Sequence, residues 1–444
     1  MFLSPRQIFA SASDAPIVLS RLDCDVYKFI MAQFIWDHGH SDIPVTFGFK
    51  MRTKGVKIGN IIPEPALREQ LDYLMNLRFT QTELSQLMGM TVANKEGTVR
   101  QLFKIPFVAE LNRRSLRDTS YELGYLADGT IKLTFSGKWL DVMFWETTAM
   151  AIISELYYWH LWQSQSATRS EFSSFYAEMH QRTVRDCMKL RQFPELTFSQ
   201  FGHRRRHSRM IEVHMQEVFE ELIPNQCVAA SNVWLSFLTG KNNPKGTNAH
   251  ELPMVWATLK GNTDQWIQES PHDLVRNWAE YYPELAILLP DTFRTTAFLK
   301  DAGADIAHST TGVRIDSKKE EIAIPEFIEW FKRHGENPRT KTFIPSDGLT
   351  ADRMIEIYKQ FVDQVGVLTF GYGTHATNQI NGILPPETGF TTLSMVIKVI
   401  EANGRPTVKL SDNPGKHTGI DEAEIARYDR LFVRDGEAVQ DIIV

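Results

Sequence analysis

Phe201-Gly202-His203-Arg204-Arg205-Arg206-His207-Ser208 opens, and Gly246-Thr247-Asn248-Ala249-His250-Glu251 closes, the stretch around which this 444-residue chain is organised. Between the two motifs the pattern predicts one amphipathic helix and one short apolar strand. Three consecutive arginines neutralise several phosphates at once, because each guanidinium offers a planar fork of donors. A histidine beside a carboxylate has a partner to fix its tautomer and raise its basicity, which suits nucleophilic or acid–base work. Taken singly, each motif has a plainer reading: the arginines as a solvated face, His250 as a satisfied interior histidine.

Toward the C-terminus the chain alternates short apolar runs with helical stripes. Val228-Ala229-Ala230 reads as a strand, with Ser231 or Asn232 capping a helix over 233–238. Further strands fall at 285–289, 313–315, 342–344 and 367–370. Helices follow at 325–334 and, behind Thr350 as N-cap, along the stripe Met354, Ile357, Tyr358, Phe361 and Val365. Such βα units build a parallel barrel or a doubly wound sheet, whose strands are buried on both faces. His250, Asp291, Asp316, Asp347 and Thr374 all fall at or just after the C-terminal ends of these runs. In a parallel sheet those ends share one edge, where chemistry is done.

Toward the N-terminus the pattern is mixed. Residues 1–20 read as a loosely held arm, and Asp25 opens a helix with Tyr27, Ile30, Met31, Phe34 and Ile35 on its apolar face. Residues 45–52 alternate as a strand, 65–77 and 80–88 as helices, and 131–135 as a strand turning at Ser136-Gly137 into a long apolar helix over 142–162. Asn403-Gly404-Arg405-Pro406 is a hairpin signature between 396–400 and 407–410, and this last segment is expected to return to the first domain.

Composition narrows the classes. Two domains are expected at this length. With 43% hydrophobic and 23% charged residues the chain is globular, and a net charge of −6 disfavours general nucleic-acid binding. Three separated cysteines (Cys24, Cys187, Cys227) give no disulfide framework or zinc motif. His203, His207 and His214 lack the His-Glu-x-x-His arrangement of a metal site and lie amid arginines. No Gly-x-x-x-x-Gly-Lys-Ser/Thr loop occurs, and the most apolar window, 143–162, is broken by Glu146 and Glu155. The expectation is a cytoplasmic protein that binds neither membrane nor nucleic acid.

The two motifs together resemble the nicotinate phosphoribosyltransferase family. Supporting blocks run through the chain in family order. They are Leu22-Asp23-Cys24-Asp25-Val26-Tyr27-Lys28, Phe135-Ser136-Gly137-Lys138-Trp139, Trp145-Glu146-Thr147, Gly312-Val313-Arg314-Ile315-Asp316-Ser317, Ser346-Asp347, Phe370-Gly371-Tyr372-Gly373-Thr374 and the run from Lys409 to Lys416. The resemblance implies an incomplete (β/α) barrel over about 136–390. An α+β domain built from 1–135 and about 391–444 would pack on it. It also implies an ATP-coupled enzyme that joins nicotinate to phosphoribosyl pyrophosphate, with Mg²⁺, as a homodimer with shared active sites.

By that resemblance His250 is the phosphorylated residue with Glu251 beside it, and Tyr27 stacks on the pyridine in the neighbouring subunit's site. Arg204 meets the pyrophosphate, Thr247 and Arg314 the pyridine and its carboxylate, Asp316 the ribose or metal, and Gly371, Gly373 and Thr374 the 5′-phosphate. Ser346 and Asp347 complete the substrate set. Two departures stand out: the family's Asp-Ser-Gly-Asp is here Asp316-Ser317-Lys318-Lys319, and its Ser-Asp-Asn is Ser346-Asp347-Gly348. The lysines are expected at the phosphate end of the pocket, attracting anionic substrate. The alternatives are a nicotinamide-using enzyme, discriminated at Arg314, and a degenerate paralogue that binds pyridine nucleotide without turnover.

Overall fold

The computed structural model describes residues 5–9, 15–94, 97–165, 168–240 and 244–432. Of the three sheets among the described residues, two large ones carry it. Six parallel strands run in the order Cys227–Ala230, Thr197–Gln200, Val367–Tyr372, Thr342–Pro345, Gly312–Ile315, Ile287–Leu288. Their side chains are buried on both faces, among them Phe198, Val313, Ile315, Phe343, Leu368 and Phe370. Among the described residues the two end strands do not pair with each other, so the sheet is open. The strand Thr197–Gln200 leads directly into the arginine run, and no alternation announced it, because three of its four residues are buried.

The second sheet is antiparallel and joins distant parts of the chain. Pro44–Met51 pairs on one side with Ile131–Lys138 and on the other with Met395–Ala402, which turns back through Asn403-Gly404 to Arg405–Pro406. Asn403 and Gly404 both have positive φ (53° and 71°), the geometry that a two-residue hairpin turn demands. Ser136-Gly137 is not a turn: the strand runs on to Lys138, and the chain passes straight into the helix Trp139–Val142. Pairing of Val45 with Gly137 and Thr46 with Ser136 provides the ladder partners that keep these residues extended.

The helices Val26–Asp37 and Trp145–Ser164 fill the core beneath this sheet and are buried on nearly every face. That surrounds even Lys28, Glu146 and Glu155 with protein. Among the described residues no helix is long and apolar enough to cross a membrane. The described part of 1–20 is not a loose arm: Ile8, Phe9, Ile17 and Val18 are buried. Phe9 sits 5.5 Å from the His207 ring and 5.8 Å from Trp159. Burial of one such phenylalanine is worth about 2–3 kcal/mol, enough to hold the segment down. Residues 1–4, 10–14 and 433–444 lie outside the described residues.

Candidate active site

Because the six strands are parallel, their carboxyl ends form one rim. Gly202–Arg206 follows Thr197–Gln200, Asp316 follows Gly312–Ile315, Ser346-Asp347 follows Thr342–Pro345, and Gly373-Thr374 follows Val367–Tyr372. Asp291 lies just past Ile287–Leu288. His250 reaches the same rim as the residue that opens the helix Glu251–Trp256.

His250 is 4% exposed and held at both ring nitrogens. Nε2 lies 2.8 Å from Asp316 Oδ2 and Nδ1 lies 2.9 Å from Thr292 Oγ1, with Asp291 Oδ1 at 3.7 Å. Burial, partly countered by Asp291, lowers the imidazole pKa to about 4, so the ring is neutral near pH 7. Asp316 is driven well below the carboxylate range: burial opposes this, but Arg314 and the His250 contact outweigh it. A carboxylate only accepts, so Nε2 carries the proton and Nδ1 accepts from the Thr292 hydroxyl. His250 thus carries its lone pair at Nδ1, where the Thr292 hydroxyl holds it.

Glu251 does not serve His250. Adjacent residues at a helix start point apart, and the Glu251 carboxylate accepts from Trp139 Nε1 at 2.6 Å and pairs with the buried Lys28 ammonium. The partner left open by sequence is Asp316, with Thr292 on the other face.

Arg314 projects from its strand into three contacts. Its Nη2 is 3.0 Å from Asp316 Oδ1, its Nε donates to Ser346 Oγ at 3.0 Å, and Nη1 reaches the Asn248 carbonyl at 3.5 Å. Asp347 pairs with Lys416, although burial pushes its carboxyl pKa up. Gly371 is glycine for packing: a Cβ there would stand 2.6 Å from the Phe201 ring and 2.8 Å from Ser346. A Cβ on Gly373 would meet nothing within 4 Å, so that backbone is bare beside Thr374. Thr247 is half-buried behind Gly246, where a Cβ would come 2.9 Å from Val26.

The three arginines diverge. Arg206 is fully buried, forked onto Asp23 (2.8 and 2.9 Å) and bonded to Glu212 (2.9 Å). Arg205 donates to the Met395 carbonyl, and burial beside Arg204 and Arg52 lowers its pKa to about 10. Arg204, partly exposed as Arg205 is, lies 3.7 Å from Asp25 and 3.6 Å from Glu146, its guanidinium 6.0 Å from the Tyr27 ring. Tyr27 therefore lies beside its own chain's Arg204, with its buried hydroxyl lacking a hydrogen-bond partner.

Lys318 corrects an expectation. Its ammonium donates to Thr296 Oγ1 (2.8 Å) and pairs with Glu326 (2.7 Å), so it ties two helices together. Lys319 is exposed at the N-terminus of Glu320–Arg333. Lys318 therefore adds no free positive charge at the strand ends.

What the sequence missed is a second set of cations from the returning segment. Lys398 donates to Glu146 at 3.1 Å, and burial lowers its pKa to about 8. Lys409 stands 3.6 Å from Asp291 and Lys416 pairs with Asp347, and from outside that segment half-buried Arg52, just past Pro44–Met51, feels both Asp347 and Asp316. The run from Lys409 to Lys416 was itself a signal, but its position across the rim was not.

Cations gathered around a neutral histidine and two aspartates, at the carboxyl edge of a parallel sheet, make a site for an anionic substrate. The family model described as the nicotinate phosphoribosyltransferase family matches residues 196–435, and the model of its N-terminal domain matches residues 22–154. The chain belongs to the nicotinate phosphoribosyltransferase family. A crystal structure of nicotinate phosphoribosyltransferase from Vibrio cholerae is 26% identical over 97% of this chain and 96% of its own, with a TM-score of 0.80. One from Porphyromonas gingivalis, 24% identical over 94% of this chain and 100% of its own, shares the fold at a TM-score of 0.78.

Proposed function

We propose that this chain joins nicotinate to phosphoribosyl pyrophosphate and couples the step to ATP through a phosphohistidine at His250. The observation that carries this reading is the neutral His250, held at Nε2 by Asp316 with its lone pair at Nδ1 toward the Thr292 hydroxyl, among cations from both sheets. Glycosyl transfer passes through a cationic state at the ribose C1, so the chain's task is to align the pyridine nitrogen and stabilise the departing pyrophosphate. Arg204, with the lysines facing the rim, supplies that charge. Arg314 offers a guanidinium to the pyridine carboxylate. The bare Gly373 backbone and Thr374 receive the 5′-phosphate.

Asp291 and Asp316 fit a Mg²⁺ ion. Their oxygens lie within 4.8 Å of one another and of His250, and Asp291 Oδ1 is buried without a hydrogen-bond partner. Bound there, Mg²⁺ would neutralise the leaving group. The six-stranded open sheet is, on this reading, the family's incomplete barrel, with the antiparallel sheet forming the second domain.

The dimer with shared sites, and the cytoplasmic location, belong to the same proposal. Mixing inactive Tyr27→Ala and His250→Ala proteins tests the sharing. Recovered activity supports it, and no recovery despite demonstrated subunit exchange rejects it.

The deciding assay supplies labelled nicotinate or nicotinamide with phosphoribosyl pyrophosphate, with and without ATP. Nicotinate mononucleotide formed faster with ATP is the expected result. Arg314→Ala should raise the KM for nicotinate about 10-fold or more, the scale of one lost charge-assisted pair. Preference for nicotinamide, or no product at all, would overturn the assignment.

A further inference from the structure

Three sequence blocks carry residues that the proposed chemistry does not use: Lys28, Trp139 and Glu146. They converge on one buried point. Lys28 Nζ sits 2.6 Å from Glu146 Oε2 and also pairs with Glu251 Oε2, while Trp139 Nε1 donates to Glu251 Oε1 at 2.6 Å. Lys28 and Trp139 are 0% exposed, Glu146 and Glu251 1%. Each comes from a different element: the helix Val26–Asp37, the start of Trp139–Val142, the first turn of Trp145–Ser164, and the first residue of Glu251–Trp256.

The far side of this cluster reaches the rim twice. Glu251 is covalently next to His250. Glu146 faces Arg204 Nη1 at 3.6 Å and accepts from Lys398 at 3.1 Å. One ammonium therefore ties the segment bearing the histidine to the carboxylate that steadies two cations. Burying such charges costs several kcal/mol of desolvation, and well-packed apolar residues commonly match or exceed the stability of a buried pair. Stability alone gives little reason for the arrangement, whereas fixing two parts of a site in register does.

We propose that Lys28, together with Trp139, is a positioning residue: through Glu251 it sets His250, and through Glu146 it sets Arg204, so that the two stay in register. The inference rests on the phosphohistidine reading and adds to it how His250 is placed. Neither residue touches the reacting atoms.

Three variants test it. Trp139→Phe deletes one N–H and keeps both the ring packing and the ion pairs. The double variant Lys28→Met/Glu251→Gln removes the ammonium together with its nearest carboxylate, leaving Glu146 to Lys398 and Arg204. Lys28→Arg preserves the charge. Circular dichroism and melting establish that each is folded. Then kcat, the KM for nicotinate, and the initial rate of His250 labelling from γ-labelled ATP are measured.

The expected result is a kcat lowered about 3–10-fold in Trp139→Phe and about 100-fold in the double variant, the scale of an ångström-level misplacement. Labelling should fall by the same factor while the KM for nicotinate, set at Arg314, holds. Lys28→Arg should recover most of the loss. If Trp139→Phe and the folded double variant label and turn over like the wild type, the cluster is merely structural and the proposal is overturned. Should the double variant fail to fold, Trp139→Phe decides alone, by the same kcat-against-KM criterion. Failure of the phosphohistidine reading shows separately, as a wild-type protein that turns over without taking label.

Discussion

Among the described residues stand two clusters of one histidine and two carboxylates, built from the same parts and put to opposite uses. Asp23, His203 and Glu212 bring their donor atoms within 4.8 Å of one another, as do His250, Asp291 and Asp316. In the first, Arg206 forks onto Asp23 and bonds Glu212, and Asn232 donates to Asp23 at 2.8 Å. Burial works against a charged His203, but Glu212 and Asp23 outweigh it and raise its pKa. In the second, the cation Arg314 pairs with the outer carboxylate only, burial dominates, and the imidazole stays neutral. What separates the clusters is whether an arginine fills the centre. A filled centre is a brace, and an open one can bind and react.

The largest expected effect breaks the pair apart at the histidines. His250→Gln should abolish both the acid-labile label from γ-labelled ATP and the stimulation of turnover by ATP. His203→Gln should keep the label once its folded fraction is corrected for. Label surviving in His250→Gln at the wild-type level would merge the two clusters again.

The next effect separates the arginines. Arg206→Met strands two buried carboxylates and should cost about 3–5 kcal/mol in urea unfolding. Arg204→Met should leave unfolding nearly unchanged and raise the KM for phosphoribosyl pyrophosphate about 10-fold, the equivalent of roughly 1.4 kcal/mol. Equal unfolding losses in the two variants would contradict the division drawn here.

Stability against pH should tilt oppositely at the two histidines. His250 titrates near 4 when folded and near 6.5 when unfolded, so the unfolded chain binds the extra proton between those values. Stability therefore falls as pH drops from about 6.5 to 4, by on the order of 3 kcal/mol from this group. His203, with its folded pKa raised, contributes stability that is whole below its unfolded pKa and is lost as pH rises through the folded one. Melting curves of His250→Gln should lose acid sensitivity, and those of His203→Gln should lose alkaline sensitivity. The same sign of change in both would refute the contrast.

The smallest effect concerns the two lysines. Lys319→Ala should lie within about 0.5 kcal/mol of wild type and leave the KM for phosphoribosyl pyrophosphate unchanged, as an exposed residue does. Lys318→Met should lower stability by about 1–3 kcal/mol through the unpaired Glu326, again with no change in that KM. A rise in KM in either variant would return these lysines to the phosphate end of the site.

Much of this was legible in the residues themselves. Strand periodicity and cap residues such as Thr350 and Asn232 placed five of the six parallel strands, and those strands carry Asp291, Asp316 and Asp347 to one edge because parallel geometry leaves no other arrangement, whereas His250, expected at a strand end, comes to that edge from a helix start. Local pattern fixes backbone, and backbone fixes which ends coincide. What only the tertiary structure decided is which charge meets which. Three adjacent arginines read alike in sequence, yet Arg206 is sealed onto Asp23 and Arg204 faces the site. Glu251 stands next to His250 in the chain and belongs instead to Lys28, 223 residues away. Lys398, Lys409 and Lys416 arrive from the returning segment. Pairing among buried charges is set by desolvation and by neighbours far along the chain, and neither quantity is written in any short stretch of sequence.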